Sequence, residues 1–340
     1  MTDRRRINAP SGGTSAPVFA RTVKDPDSLH TFRPTRTRQP DELRKIFLKT
    51  GLTPSASGSA YLEIPPSNPT TPPSHSSIIP PRSSLKLTCA VHGPKPLPRS
   101  APFSPHLILT TTVKFAPFAT RARRGYIRDT SERDLGVHLE TALRGVVIGE
   151  RWPKSGVEVI VTVLEGEEDA WWGDEFTAGL GKTGGWGLIS VLAGCITVAS
   201  AAIADAGIDC VDLVSGGVAA IVRNPDVKGK GRSDGEIETK AEGPYAVLDP
   251  CPAEHQEIVA ACVVGYLVGR DEITELWMKG GAGEFAEQLV DKAVHASIAT
   301  ATVLREAVKE AAELKFRGSA GGAKEDMKSL AVSRDVEMVG

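Results

Sequence analysis

Apolar positions recur at two periods along this chain, and the changes between those periods divide it into elements. Upstream, "SGSAYLEI" and "LKLTCAV" read as two short strands. From Ser131 onward Leu135, Leu139, Leu143 and Val146 follow at helical spacing, and Ser131 with Asp134 resembles a capping box, which predicts a helix ending near Gly149. "VEVIVTVLEG", starting at Val157, is apolar on both faces apart from Glu158 and predicts a central strand buried on both sides. An apolar helix is expected from Leu188 to Ala206, then a strand in "DLVSGGVAAIV" and a short one in "YAVLDP". "EIVAACVVGYLV" and "EITELWMKG" add two more strands, and an amphipathic helix from Glu284 to Lys315 closes the pattern. The order is strands, helix, strand, then helix, strands, helix. It predicts an α+β fold of two similar halves.

Between these elements the composition changes character. Residues 1–30 are polar, basic and rich in Pro, Gly and Ser, and residues 318–340 mix Gly, Lys and acids without a period, so both are expected to be disordered tails around a domain at 31–317. The Pro/Ser-rich stretch from Pro65 to Ser84 lies between the first two strands, and its prolines forbid regular structure. It reads as an enlarged surface hairpin loop. A second, charged loop is expected over 223–243.

The formal charge of −2 hides an uneven distribution, because no acid occurs from Ile64 to Arg128 while nine basic residues do. That segment is a candidate polyanion surface. The five cysteines are scattered without a CxxC pair, which favours free thiols over a disulfide framework or a zinc site. The uncharged run from Gly184 to Ala204 is long enough to span a membrane, yet its Gly, Ala and Ser content favours a closely packed buried helix. No secretory signal pattern opens the chain.

Several motifs are decoys. "GLGKTGGWG" holds a literal GxGxxG at Gly179, Gly181 and Gly184 and a Gly-Lys-Thr at Gly181 to Thr183. A Walker loop needs glycine where Phe176 stands, and a dinucleotide loop would follow its strand directly, so a plain loop into a helix is expected. The histidines are too dispersed for a metal pattern, and no GxSxG elbow occurs.

Four stretches, in order, resemble the RNase PH family. They are "RPTRTRQPDELRKIFLKTGLTPSASGSAYLE", "CAVHGPKPLPR", the Arg-rich "APFATRARRGYIRDTSERDLGVHLETAL", and the small-residue helix and strand "GCITVASAAIADAGIDCVDLVSGGVAAIV". The resemblance implies an RNase PH-like fold (ribosomal protein S5 domain 2-like) of two pseudo-repeated βαβα halves. It also implies assembly with other RNase PH-like subunits into a six-membered ring around a channel for single-stranded RNA. Eukaryotic members form the core ring of the RNA exosome, which implies S1- or KH-type cap subunits as partners and a place in nucleus, nucleolus and cytoplasm. No cofactor and no membrane are implied.

Active members follow their Leu-Asp strand with acidic residues that assist attack on the phosphodiester, through a divalent metal. In "VLDPCPAEHQEIVAACVVGYLV" Leu248 and Asp249 match the strand and Glu254 matches an acid, but His255 takes the place of the first key Asp and Ala260 or Ala261 that of the second. No catalytic residue and no metal ligand is therefore expected, and Asp249 reads as a strand-end turn residue before Pro250. The resemblance further implies RNA contact through Arg121, Arg123, Arg124 and Arg128 of the Arg-rich segment and through Lys95 and Arg99 of the loop at the channel entrance. Contact with a neighbouring subunit is the other reading of the same arginines. The expected function is a non-catalytic ring subunit that scaffolds the barrel and guides RNA. The alternative is an active phosphorolytic exoribonuclease, its site completed by a partner.

Overall fold

Alternation in the first strands is strict, and it is what places the core. The computed structural model describes residues 36–66, 84–120, 123–127, 129–169, 171, 185–223, 244–255 and 257–337. Strands β1 (Phe47–Thr50), β2 (Gly58–Ile64), β3 (Leu85–Pro96), β4 (Ile108–Phe115) and β5 (Ser155–Glu165) form one sheet in the order β1-β2-β3-β5-β4. Strands β2 and β3 pair antiparallel from Gly58↔Val91 to Ile64↔Leu85, so the Pro/Ser-rich stretch does connect a hairpin; residues 67–83 themselves lie outside the described residues. Strand β4 runs parallel to β5, and helix α1 (Thr130–Arg144) makes the crossover between them.

Two local expectations need correction. Strand β5 is buried on one face only: Val157, Val159, Val161 and Val163 point into the core beside Leu85, Leu87, Cys89 and Val91, while Ile160 and Thr162 are half-buried and Glu158 is exposed. The helices cover a single face of this sheet, which leaves the opposite side chains partly open. Helix α1 starts at Thr130, one residue before Ser131, with Asp129 as its N-cap and Glu132 completing the capping box. Glu132 is buried, and its carboxylate accepts from the backbone N–H of Asp129 (3.0 Å) and of Phe115 (2.9 Å) and from Lys114 Nζ (3.0 Å). A residue that ties the helix start to the end of β4 outweighs the local pattern that favoured Ser131. The helix ends at Arg144, before Gly145 rather than at Gly149.

Helix α2 (Gly187–Asp205) is buried on nearly all sides. By length and composition it is apolar enough to cross a membrane, but here it lies between the first sheet and a second, antiparallel one. The second sheet has β6 (Val214–Arg223), β7 (Tyr245–Leu248), β8 (Glu257–Leu267) and β9 (Glu272–Gly280) in the order β7-β6-β8-β9. Helix α3 (Ala286–Glu337) covers its outer face through Leu289, Ala293 and Ala296. The apolar pattern of α3 ends near Lys315, yet the helix continues to Glu337, through most of the segment expected as a disordered tail; Ala, Lys and Glu there are strong helix formers that need no core. The first half holds the unit β4-α1-β5-α2, while in the second half four antiparallel strands precede one helix.

Two adjacent glycines let helices approach both faces of β6. A Cβ on Gly216 would lie 2.2 Å from the Ala193 carbonyl oxygen of α2, and one on Gly217 would lie 2.2 Å from the Ala293 carbonyl oxygen and 2.3 Å from the Ser297 nitrogen of α3. Hydroxyls then serve the backbone that the short strand β7 does not reach. Gly216 N donates to Thr197 Oγ1 (3.0 Å), Val214 N to Ser200 Oγ (3.1 Å), and Ser297 Oγ to the Ser215 carbonyl (2.7 Å). Gly217→Val is expected to destabilise the fold by about 3 kcal/mol or more. Gly281→Ala, with nothing within 4 Å of the added carbon, should be near neutral, and denaturant unfolding of both variants checks the pair.

Candidate functional site

Three arginines within the nine residues from Arg36 to Arg44 meet the loop after β7. The segment is fixed by backbone first: Leu248 N donates to the Pro40 carbonyl (2.8 Å), and Asp249 N donates to the Val218 carbonyl (3.0 Å). Asp249 adopts a φ of 46°, in the left-handed region that Asp tolerates better than most residues. That turn aims its carboxylate back at the arginines. Oδ2 accepts from Arg44 N (2.9 Å), Arg44 Nε (2.8 Å) and Arg38 Nη1 (3.0 Å), while Oδ1 accepts from Arg44 Nη2 (2.7 Å). The other side of the Arg44 guanidinium donates to Glu167, at 2.8 and 3.1 Å. Arg38 Nη2 also donates to Glu254 (3.2 Å), and Arg36 donates to the carbonyls of Leu248 (3.0 Å) and Asp249 (3.3 Å).

Asp249 is thus more than the turn residue expected from sequence. Burial alone would push its carboxyl upward, but Arg44 and Arg38 beside it, with the hydrogen bonds from Arg44, hold it well below the usual carboxylate range. Burial likewise acts to lower Arg44, and Asp249 and Glu167 reverse that, so its guanidinium is held charged more firmly than usual. Cys251 is next to this cluster, and burial followed by the nearby Glu167 charge pushes its thiol up. Cys195 and Cys262 are pushed up to about 12 by burial, which leaves no activated thiol among them.

The chemistry open to this loop follows from that pairing. Asp249, Glu254 and Glu167 each accept from an arginine, and among the described residues no group of three or more His, Cys, Asp or Glu is placed to hold a metal ion. His255 is buried, and Ala260 and Ala261 lie inside β8 at 0% and 2% exposure. The sequence reading did not assign Arg36, Arg38, Arg44 or Glu167 to this place. The run "RTRQPDELR" carried the signal, since three guanidinium groups in so short a segment need anions close by.

Of the six basic residues expected to contact RNA, the four that are described fall at two ends of the first sheet. Lys95 pairs with Gly156 at the start of β5, and Arg99 follows in an exposed turn. Arg123 and Arg124 follow Phe115, which pairs with Val163 seven residues further along β5, a separation of about 23 Å at 3.3 Å per residue. Arg123 is exposed. Arg124 packs over the Phe115 ring, 4.6 Å from its centroid, and pairs with Asp129 at 3.6 Å. Arg121 and Arg128, and the Gly-rich stretch from Gly179 to Gly184, lie outside the described residues.

With this geometry in view, the relatives are informative. The profile of the 3′ exoribonuclease family, domain 1 (RNase PH), matches residues 42–209. A protein of Chaetomium thermophilum named exosome complex component MTR3 is 48% identical over 318 residues, which cover 91% of this chain and 99% of that protein. This chain belongs to the RNase PH family. The Schizosaccharomyces pombe and human proteins of the same name are 28% and 26% identical, over 82% and 83% of the chain and 85% and 84% of their own lengths. A crystal structure of rice Rrp46 shares the fold with a TM-score of 0.56 at 17% identity, over 80% of this chain and 98% of that one. The profile match ends at the close of the first half. The Asp249 loop lies beyond it.

Removing one partner of this cluster strands a buried charge. Arg44→Met is expected to cost about 3–5 kcal/mol by denaturant unfolding. Because the Asp249 carboxyl is lower in the folded than in the unfolded chain, its contribution is full above about pH 4 and is lost as pH falls below that. Asp249→Asn should therefore be less stable than wild type at pH 7 and show a shallower loss of Tm between pH 5 and pH 3.

Proposed function

We propose that this chain is a non-catalytic subunit of an exosome-type ring, which scaffolds the barrel and guides single-stranded RNA toward a separate nuclease. The observation that carries the reading is the state of the acidic loop. Asp249 and Glu254 are both bound by arginines, and the positions where active relatives need a second acid are alanines packed inside β8. Asp249, whose two oxygens accept three guanidinium N–H bonds and one backbone N–H bond, is poorly placed to serve as a metal ligand or a base.

The partners in this reading are other RNase PH-like subunits and S1- or KH-type caps. It is supported by the name exosome complex component that the Chaetomium, Schizosaccharomyces and human relatives share. The same reading places the protein in nucleus, nucleolus and cytoplasm. Lys95, Arg99, Arg121, Arg123, Arg124 and Arg128 are its RNA-facing cations, with Arg123 the more exposed of the two described in the Arg-rich segment and Arg124 partly engaged in holding its own loop. Such contacts neutralise phosphates without reading bases, as a threading path requires.

Mass spectrometry of the native complex that co-purifies with the chain at moderate salt should find five other RNase PH-like proteins with RNA-binding caps. The isolated chain should not shorten RNA when inorganic phosphate is added. Phosphate-dependent shortening abolished by Glu254→Gln would establish the phosphorolytic reading instead. In the assembled complex, Arg123→Glu should weaken RNA crosslinking without lowering Tm, and unchanged crosslinking would remove Arg123 from the RNA path.

A further inference from the structure

The loop between β3 and β4 and the turn that enters β5 are joined by backbone hydrogen bonds. Leu97 N donates to the Lys154 carbonyl (3.0 Å), Lys154 N donates to the Ser104 carbonyl (3.0 Å), and Leu107 N donates to the Gly149 carbonyl (2.9 Å). Lys95 stands opposite Gly156, and Pro96 opposite Ser155, in the β3–β5 ladder. These bonds hold Lys95, Arg99, Phe103 and Lys154 at one tip of the first sheet, and all four are exposed. Arg151 nearby pairs with Asp209 at 3.2 Å, with Glu150 exposed beside it, so among the described residues the positive charge of the tip not paired with an acid sits on Lys95, Arg99 and Lys154.

Two features of this tip are not required by the fold. Lys154 has a φ of 55°, in the left-handed region, where a residue with a Cβ costs about 1–2 kcal/mol and Gly or Asn would relieve most of it. A lysine kept at a strained, exposed turn places a cation that packing does not need. Phe103 is 73% exposed in the same loop, an aromatic face with no core to fill.

We infer that Phe103 and Lys154 complete, with Lys95 and Arg99, a contact site for single-stranded RNA at this tip. The three cations neutralise neighbouring phosphates, and Phe103 stacks one base, a combination that holds a strand without reading its sequence. Charge selects the occupant: Lys95, Arg99 and Phe103 belong to a 65-residue stretch, Ile64 to Arg128, that contains no acid, and the turn that enters β5 adds Lys154. The inference rests on the RNA-guiding reading above and adds two residues that the arginine and lysine pattern left out.

The test is fluorescence anisotropy of a labelled 20-nucleotide oligouridylate on the co-purified assembly carrying each variant, across a salt series. Phe103→Ala is expected to weaken binding by about 5- to 150-fold. Lys154→Asn, which suits the backbone, should lower the slope of log affinity against log salt by about 0.7 while Tm stays or rises. If Lys95→Gln weakens binding while Phe103→Ala and Lys154→Asn bind like wild type, the inference is overturned and the guiding role stands. If the wild-type assembly fails to bind, or if Lys95→Gln and Arg123→Glu both leave binding unchanged, the guiding role falls and takes this site with it. Loss of a protein subunit from the Phe103→Ala or Lys154→Asn assembly, with RNA affinity unchanged, would make the tip a protein contact and overturn the RNA site.

Discussion

One guanidinium joins three parts of this chain that are remote in sequence. Arg44 precedes the first strand, Glu167 follows β5 in the first half, and Asp249 ends β7 in the second, and Arg44 binds both carboxylates from a nearly fully buried position. Apolar packing around α2 supplies most of the free energy of the two-sheet arrangement, but apolar contacts tolerate sliding. A bidentate ion pair does not: its two N–H groups and two oxygens meet in one geometry, and any other leaves buried charge unpaired. The segment from Arg36 to Arg44 therefore has one seat between the halves. The backbone bond from Leu248 to Pro40 and the exposed pair of Lys292 with Asp41 follow from that seat.

The same arrangement decides the chemistry. Asp249 cannot both accept four hydrogen bonds from arginine and share its oxygens with a divalent cation, and its low proton affinity makes it a poor base. Nor would an acid be accommodated cheaply further along the strand. Ala260 faces α3 and Ala261 faces α2, both within packed cores. A carboxylate at either place would enter apolar surroundings and would need a cation of its own to remain ionised. In this strand alanine fits the packing, and a catalytic acid would have to be accommodated against it. In this structure Asp249, Glu254 and Glu167 hold the Arg36–Arg44 segment in place.

Much of this was legible in the linear pattern, and the exceptions share a cause. The hairpin, the buried α2 and the four strands of the second sheet each have a period or a length that identifies them alone. The start of α1 did not, because Ser131 and Asp134 look as good a cap as Asp129 and Glu132 until Glu132 is seen binding the end of β4. The second face of β5 misled in the same way: Ile160 is apolar, but no helix covers that side. At the loop, the string shows directly that His255, Ala260 and Ala261 are not acids. The partners of Asp249 could not be read, because Arg44 lies 205 residues away and only folding brings the two together.

The distribution of positive charge bears on how such a subunit would hold a strand. The described basic residues expected to contact RNA sit at two ends of β5, and between them β5 itself presents Thr162, Ile160 and Glu158 on its open face, while Lys114, opposite Thr162 on β4, is paired with Glu132. A polyanion touching both ends must run along β5, not across it, and meets few charges on the way. Each contact is also shared with solvent, where screening limits a single pair to a modest gain. On the proposed RNA-guiding reading, a lone chain would hold RNA weakly. When several such chains line one path, each contact after the first is made at high local concentration, and weak sites sum to a grip that slides because none of them is strong.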